Sequence, residues 1–204
     1  MLKSIIHGLV AVSLLVAPLA SIAAPPGVKD MVVRAQKEGS AIAVYVEFTV
    51  PATVDETWEV LTDYDRMAEI VSSIDESKIV KRDGNQIEVA QKSHASAGPL
   101  KFSMSSLRQV QLVPNKEIRS RLLKGDLKSS DFTTRIVDEG AVMRVVAEGK
   151  FVPGGLTGAA INLESVEAQS RRQYQELRAE ILRRKAKEPP PPCLLAKNCE
   201  QGPG

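Results

Sequence analysis

The chain has 204 residues, with 27 Lys and Arg against 25 Asp and Glu, which gives a formal net charge of +2. This balance, with no basic stripe along the predicted strands, argues against a nucleic-acid-binding protein. The length suits one domain with a sizeable core behind a short leader.

The N-terminal segment has the pattern of a secretory signal peptide. Lys3 supplies a positive start, residues 9–20 form an apolar core, and small residues precede a cut before Ala24. A membrane anchor is the alternative, but the apolar run is short for a bilayer span and contains Pro18. We therefore expect residues 1–23 to be removed and the protein to be periplasmic, in a Gram-negative bacterium.

The next elements are a strand and two short helices. Residues 24–36 predict a linker or a short first element, because a Pro-Pro-Gly run resists regular structure. Residues 41–50 alternate between apolar and other side chains, which predicts a half-buried strand. Thr53 and Glu56 have the spacing of a capping box, so a helix should begin there, and Asp63 can cap a second short helix.

Six further strands follow at hairpin spacing. Turn sequences such as Asp-Gly-Asn at residues 83–85 separate them. The predicted strands are residues 77–81, 86–95, 100–113, 117–123, 128–137 and 141–152. Consecutive antiparallel strands form a meander, and such a sheet should curl strongly because strands twist.

The C-terminal part predicts one long helix and a tail. After Pro153 and two glycines, residues 156–187 contain no proline and carry apolar side chains at spacings of three and four. About thirty helical residues would span roughly 45 Å, enough to cover the sheet. Residues 188–204 are proline-rich and hold the two cysteines, Cys193 and Cys199, which we expect to pair in an exported protein.

This order of elements resembles the START-like helix-grip superfamily, also called SRPBCC. The nearest branch is the polyketide cyclase/dehydrase and coenzyme-Q-binding group. The resemblance is carried by the strand at residues 44–50, the segment 51–64, the Gly-Asp-Leu at 125–127 and the terminal helix, and it covers residues 37–187. It implies an α+β fold, in which a curved antiparallel sheet of about seven strands wraps around the C-terminal helix.

The resemblance also implies a cavity between the sheet and the helix. Such cavities take apolar or amphipathic molecules, including lipids, quinones and polyketides. Some relatives are carriers and a minority are cyclases or other enzymes, so the fold alone does not separate these uses.

Alternation along the strands and the helix predicts which side chains face that cavity. The ligand-cavity candidates are Gln91, Ser93, Phe102, Met104, Arg108, Ser120, Phe132, Thr134, Met143, Val145, Phe151, Val166, Ser170 and Tyr174. The simplest alternative for the apolar members is that they fill a core. The polar members would each cost about 1–3 kcal/mol if buried without a partner, which favours a solvated or ligand-filled pocket.

Arg108 is the candidate whose position depends most on register. If it points inward, it can anchor an anionic head group. A bulge near Ser105 and Ser106 would instead turn it toward water.

No catalytic motif is visible in the sequence. Trp58 has the helical spacing of a core residue, and His94 has the parity of an exposed one. We find no Ser-His-Asp arrangement, phosphate loop, paired carboxylates or metal-ligand spacing, so we expect no cofactor, no metal and no catalytic residue.

These observations favour an exported, non-enzymatic carrier or binding protein. Its partner would be a hydrophobic or amphipathic small molecule such as a lipid, a quinone or a polyketide-like compound, with transient contact with a membrane surface. The alternatives are a cyclase- or aromatase-like enzyme that uses the same cavity and a protein-interaction module that uses the tail or the helix.

Overall fold

The computed structural model describes residues 31–97, 100–154 and 161–187. Its strands are β1 Val32–Glu38, β2 Ala41–Val50, β3 Ile74–Asp83, β4 Gln86–Ala97, β5 Leu100–Val113, β6 Glu117–Gly125, β7 Ser129–Asp138 and β8 Met143–Val152. Its helices are α1 Val54–Thr62, α2 Met67–Ile70 and α3 Leu163–Lys185, with a single 3₁₀ turn at Tyr64–Arg66. The expected signal peptide and the cysteine-containing tail lie outside the described residues.

The strands form one antiparallel sheet in the order β1-β2-β8-β7-β6-β5-β4-β3. The predicted α+β helix-grip fold is confirmed, although the sheet has eight strands rather than about seven. The additional strand is β1, whose first five residues lie in the segment for which we expected a linker. It pairs with β2 from Val32 opposite Glu47 to Glu38 opposite Ala41.

The predicted capping box begins α1. The Glu56 N–H donates to Thr53 Oγ1 at 3.2 Å, and the Thr53 N–H donates to Glu56 Oε2 at 2.5 Å. Asp63 behaves differently from the prediction, because its side chain caps no backbone group. Its carboxylate instead accepts hydrogen bonds from Arg66 and Arg184.

Helix α3 is shorter than predicted. It begins at Leu163 and has 23 residues, which corresponds to about 35 Å. The reason is Asn162, whose Oδ1 accepts a hydrogen bond from the Ser165 N–H at 2.7 Å. Asparagine is among the most favoured N-cap residues, so the helix begins directly after Asn162.

The hydrophobic core occupies one end of the concave face of the sheet. Its residues lie along β2, at the starts of β4, β6 and β8, and at the ends of β5 and β7. Helix α1 and the C-terminal half of α3 cover this end, and α3 buries its own Leu177 and Ile181 against it. Helix α3 packs mainly on β1, β2 and α1, which leaves space between its N-terminal half and β4–β7.

Charged contacts fix the C-terminal end of α3. Arg184 Nη2 donates to Asp63 Oδ2 at 2.6 Å, and its Nε donates to Glu180 Oε1 at 2.7 Å. Lys185 Nζ donates to the Pro51 carbonyl oxygen at 2.6 Å. These contacts join the end of α3 to both ends of α1.

This charged cluster should make stability depend on acid. Hydrogen bonds from Arg183 and Arg184 lower the pKa of Glu180 to about 2. Burial alone would raise the pKa of Asp63, but hydrogen bonds from Arg66 and Arg184 outweigh it and lower that pKa. A carboxyl group whose pKa is lowered by folding stabilises the fold above its unfolded pKa, and this stability is lost as the pH falls through the folded pKa.

We therefore expect Glu180 to contribute roughly 1–2 kcal/mol that disappears as the pH falls from about 4.5 to about 2. This contribution is smaller than the full pKa shift implies, because solvent screens the charge of Arg183, whose side chain is 52% exposed. Urea unfolding of Glu180→Gln across this range should show a weaker pH dependence than the unchanged protein. Glu59→Gln, an exposed position on α1, is the control. An unchanged slope in Glu180→Gln would contradict the expectation.

Candidate functional site

Two adjoining cavities lie between α3 and the sheet. We call the first, of about 300 Å³, the polar cavity, and the second, of about 200 Å³, the apolar cavity. The polar cavity lies beneath the middle of α3 and the apolar cavity nearer its N-terminus. Both are bordered by Ser130, Phe132, Ser170 and Gln173, so they meet at these four side chains.

Most of the predicted candidates line one of these cavities. The candidates that line the polar cavity are Gln91, Arg108, Ser120, Thr134 and Tyr174. Those that line the apolar cavity are Phe102, Met104, Phe151 and Val166. Phe132 and Ser170 border both cavities. Three candidates line neither. Met143 and Val145 have the predicted parity but lie at the core end of β8, where they are 2% and 0% exposed. Ser93 lies on β4 between its partners Ile74 of β3 and Met104 of β5, one strand from the edge of the sheet.

Several lining residues were missed by sequence reasoning. Ser130 shares the parity of Phe132 and Thr134, and Gln173 lies one helical turn after Ser170, so spacing alone could have found both. Tyr64 carries no such signal, because it belongs to a 3₁₀ turn of only three residues. The long-range packing of that turn places its ring in the polar cavity.

Arg108 points inward because β5 has no bulge. The pairing of β4 with β5 runs without a shift from Gln86 opposite Gln111 to Ala97 opposite Leu100. The irregularity lies in the pairing of β5 with β6, where Leu107 faces Lys124 but Arg108 faces Leu122. The extra residue is therefore on β6, and the expected alternative of a β5 bulge near Ser105 is wrong.

Two serines hold the guanidinium of Arg108. Its Nε donates to Ser120 Oγ at 2.6 Å, while Nη1 and Nη2 each lie 3.3 Å from Ser130 Oγ. Nη2 also lies 3.5 Å from the Ser120 carbonyl oxygen. Burial lowers the pKa of Arg108, but arginine side chains in proteins remain protonated at neutral pH. The cavity therefore holds a fixed positive charge.

Two tyrosines face the same cavity. Burial raises the pKa of both Tyr64 and Tyr174, so both phenols are neutral at physiological pH. A hydrogen bond with Thr134 and the charge of Arg108 counteract the rise for Tyr174. The Tyr174 ring also contacts Phe48, with centroids 6.1 Å apart at 51°, which fixes its position on the core side of the cavity.

Carboxylates and imidazoles are missing from the described lining of both cavities, whereas the phenols of Tyr64 and Tyr174 are present. None of their lining residues is Asp, Glu or His. His94 lies on β4 with Nδ1 2.9 Å from Asp75 Oδ1 and a side chain 27% exposed, and it lines neither cavity. Trp58 is partly buried against the core, as its spacing predicted.

The described residues show neither a metal centre nor a spanning helix. Within residues 31–97, 100–154 and 161–187, no three His, Cys, Asp or Glu side chains are grouped to hold a metal ion. No helix in these ranges combines the length and the apolar character needed to cross a bilayer.

Known structures share this architecture at low sequence identity. An aromatase/cyclase from a Streptomyces species is 20% identical, with 71% of this chain and 96% of that chain covered and a TM-score of 0.59. A STAR-related lipid transfer protein from Xanthomonas axonopodis is 12% identical, with 74% and 92% covered and a TM-score of 0.61. A START superfamily protein from Mycobacterium smegmatis is 14% identical, with 70% and 95% covered and a TM-score of 0.55. At these identities the likeness establishes the fold.

The sequence itself matches a family. No curated protein matches the chain at a significant level. A family model described as polyketide cyclase / dehydrase and lipid transport matches residues 41–186. That segment contains β2–β8, the three described α-helices and every described residue that lines the two cavities. The chain therefore belongs to the polyketide cyclase / dehydrase and lipid transport family, within the START-like superfamily that its sequence resembles.

Proposed function

We propose that the protein is an exported, non-enzymatic carrier for a hydrophobic or lipid-like small molecule, which it holds between the sheet and α3. The observation that carries this proposal is the pair of adjoining cavities beneath α3. Together their volumes fall in the range typical of small-molecule sites, roughly 300–1,000 Å³. The family description, which includes lipid transport, supports the same use.

The apolar cavity supports a hydrophobic ligand. Its apolar lining residues are Phe102, Met104, Leu127, Phe132, Phe151, Ile161 and Val166, and the other five lining residues are serines and glutamines. Most of these apolar side chains come from the sheet, and Val166 comes from the first turns of α3. A chain or ring placed there would gain about 25 cal/mol for each Å² of apolar surface removed from water.

The absence of Asp, Glu and His from the described lining supports a carrier. General acid–base catalysis works best with a group whose pKa lies near the working pH. The two phenols in the polar cavity have raised pKa values, and Arg108 is a permanent cation. Export is supported by the signal-like pattern of residues 1–23, and the mass of the secreted protein should show whether it begins at Ala24.

A cyclase-like enzyme is the second candidate. The observation in its favour is that Arg108 lies beside two tyrosines in one cavity, since a cation and phenol donors can stabilise a developing enolate. Incubation with a poly-β-ketone and recovery of the bound molecule separates the two functions. A carrier returns the compound unchanged, whereas an enzyme returns a cyclised product.

Filling the junction of the cavities should weaken ligand binding strongly. Ser170 borders both cavities, so we expect Ser170→Phe to weaken binding of the neutral probe N-phenylnaphthylamine at least tenfold while unfolding stays cooperative. The probe's fluorescence, titrated against protein, measures this. Ala168→Phe places the same ring on an exposed position two residues away and should leave binding unchanged.

The unchanged protein supplies the other arm of this test. Native mass spectrometry and organic extraction of protein recovered from the exported fraction should reveal a bound apolar molecule. If none co-purifies and the probe does not bind, the carrier function is wrong. If Ser170→Phe binds the probe as tightly as the unchanged protein, the ligand lies outside these cavities.

A further inference from the structure

Arg108 is the single charged residue among the described residues that line the two cavities. Charged side chains are rarely buried unless they are paired, because removing a charge from water is costly. Within the part of the chain that the structure describes, the hydrogen bonds of Arg108 go to Ser120 and Ser130, which are neutral. Among the described residues, no carboxylate forms an ion pair with it.

The carboxylate of Asp131 does not replace such a partner. Burial lowers the pKa of Arg108, and the charge of Asp131 acts in the opposite direction. However, Asp131 is exposed and alternates with Ser130 and Phe132 along β7, so it points away from the cavity. The two phenols nearby are neutral. The positive charge is therefore uncompensated on the cavity side of the sheet.

The guanidinium also has spare donor capacity. It carries five N–H groups, of which the one on Nε makes a short bond to Ser120 at 2.6 Å. The terminal nitrogens make contacts of only 3.3 to 3.5 Å, at or beyond the usual limit for an N–H···O bond. A planar, two-oxygen acceptor that displaced Ser130 Oγ from these long contacts would meet both terminal nitrogens, the geometry in which arginine binds carboxylates best.

We propose that the ligand is a single-chain amphiphile with one carboxylate, such as a fatty acid, whose head group binds Arg108 while its chain lies in the apolar cavity. This rests on the proposed carrier function and narrows it to a ligand class. One partly buried cation balances a monoanion, whereas a dianionic phosphate would leave excess charge in a poorly solvated site. Cavities of about 300 and 200 Å³ suit one chain and are small for a two-chain phospholipid.

The shape of the site matches such a molecule. Arg108, Ser120 and Thr134 lie in the polar cavity, and Phe102 and Phe151 lie in the apolar one. The two cavities join at Ser130 and Phe132, and Ser130 Oγ also contacts the guanidinium. The charged group is therefore next to the opening that leads to the apolar lining, where a head group must sit if its chain is to enter.

A matched pair of probes tests the proposal. Delipidated protein is loaded with N-phenylnaphthylamine, which is then displaced by dodecanoate or by dodecanol, a neutral molecule with the same chain. We expect dodecanoate to bind at least tenfold more tightly than dodecanol. Arg108→Gln should weaken dodecanoate binding at least tenfold and leave dodecanol unchanged. Arg108→Lys, which keeps the charge but loses the planar fork, should give an intermediate preference.

Arg121→Gln is the matched control, because Arg121 neighbours Ser120 on β6 but is exposed on the opposite face. Equal binding of acid and alcohol to the unchanged protein, or an equal loss of both in Arg108→Gln, would overturn the inference and leave the carrier function standing. Failure of the neutral probe to bind would overturn the carrier function itself. Circular dichroism tests whether each variant is folded. If Arg108→Gln does not fold, the preference of Arg108→Lys for dodecanoate over dodecanol decides whether Arg108 binds the carboxylate.

Discussion

Replacement of Gly149 by alanine is expected to destabilise the protein by about 3 kcal/mol or more, the upper end of what overpacking costs. A Cβ at this position would lie 2.2 Å from the Asp131 carbonyl oxygen and 2.6 Å from Cγ of Phe132. Gly149 is paired with Val44 on one side and Phe132 on the other. The obstacle is backbone in the middle of a sheet, which a side-chain rotation cannot relieve.

Urea unfolding followed by circular dichroism measures this effect. Gly84→Ala is the control, because Gly84 lies in the β3–β4 turn with φ of +54°, and a methyl group added there would have no other atom within 4 Å. Its cost should be limited to backbone strain, about 1 kcal/mol. A Gly149→Ala midpoint equal to that of the unchanged protein would contradict the close approach. Because Phe132 borders both cavities, any folded Gly149→Ala protein should also bind N-phenylnaphthylamine more weakly.

Replacement of Ile181 by alanine is expected to cost about 2–5 kcal/mol, the range for truncation of a buried aliphatic side chain. Ile181 is 0% exposed and lies in the last third of α3. There it joins the core that also contains Val60 and Leu61 of α1. The lost contacts and the remaining cavity both destabilise the folded protein. The core at this end of the sheet is tightly packed, so neighbouring side chains cannot easily move in to fill the cavity.

The same unfolding experiment on Gln175→Ala provides the comparison. Gln175 is an exposed residue of α3, and alanine is a good helix former, so its change should stay within about 0.5 kcal/mol. A loss below about 1 kcal/mol in Ile181→Ala, well under the usual range for such truncations, would show that α3 is not held by the core beneath it.

Much of the sheet was predictable because its signals are local. Alternating side chains and turn residues such as Gly84 mark β4 through β8, and the capping box at Thr53 marks the start of α1. Strand β1 lacks such a signal, since most of its side chains are exposed. Long-range contacts hold it: Glu167 Oε1 accepts from the Ala35 N–H at 2.8 Å, and Arg171 Nη1 donates to the Met31 carbonyl oxygen at 2.9 Å.

The candidate site was predictable in one dimension only. Parity along a strand predicts whether a side chain faces α3, and Arg108 and Phe132 do line the cavities beneath it. Whether an inward side chain meets a neighbour or a cavity depends on where the helices lie along that strand. Met143 and Phe151 share a parity on β8, yet the first is in the core and the second lines a cavity. That distinction arises from tertiary packing, which residue spacing does not contain.

The order of strands has a consequence for how the protein folds. Strand β2 pairs with β8, so residues 42–50 must wait for residues 143–151 before β1 and β2 can join the other six strands. Pairings this distant in sequence raise the contact order and slow folding. Helix α3 follows β8 in the chain, so the helix that covers both cavities is synthesised after the whole sheet. Until it docks, the concave apolar face is open to water and to other chains, which makes this the stage at which aggregation competes most strongly.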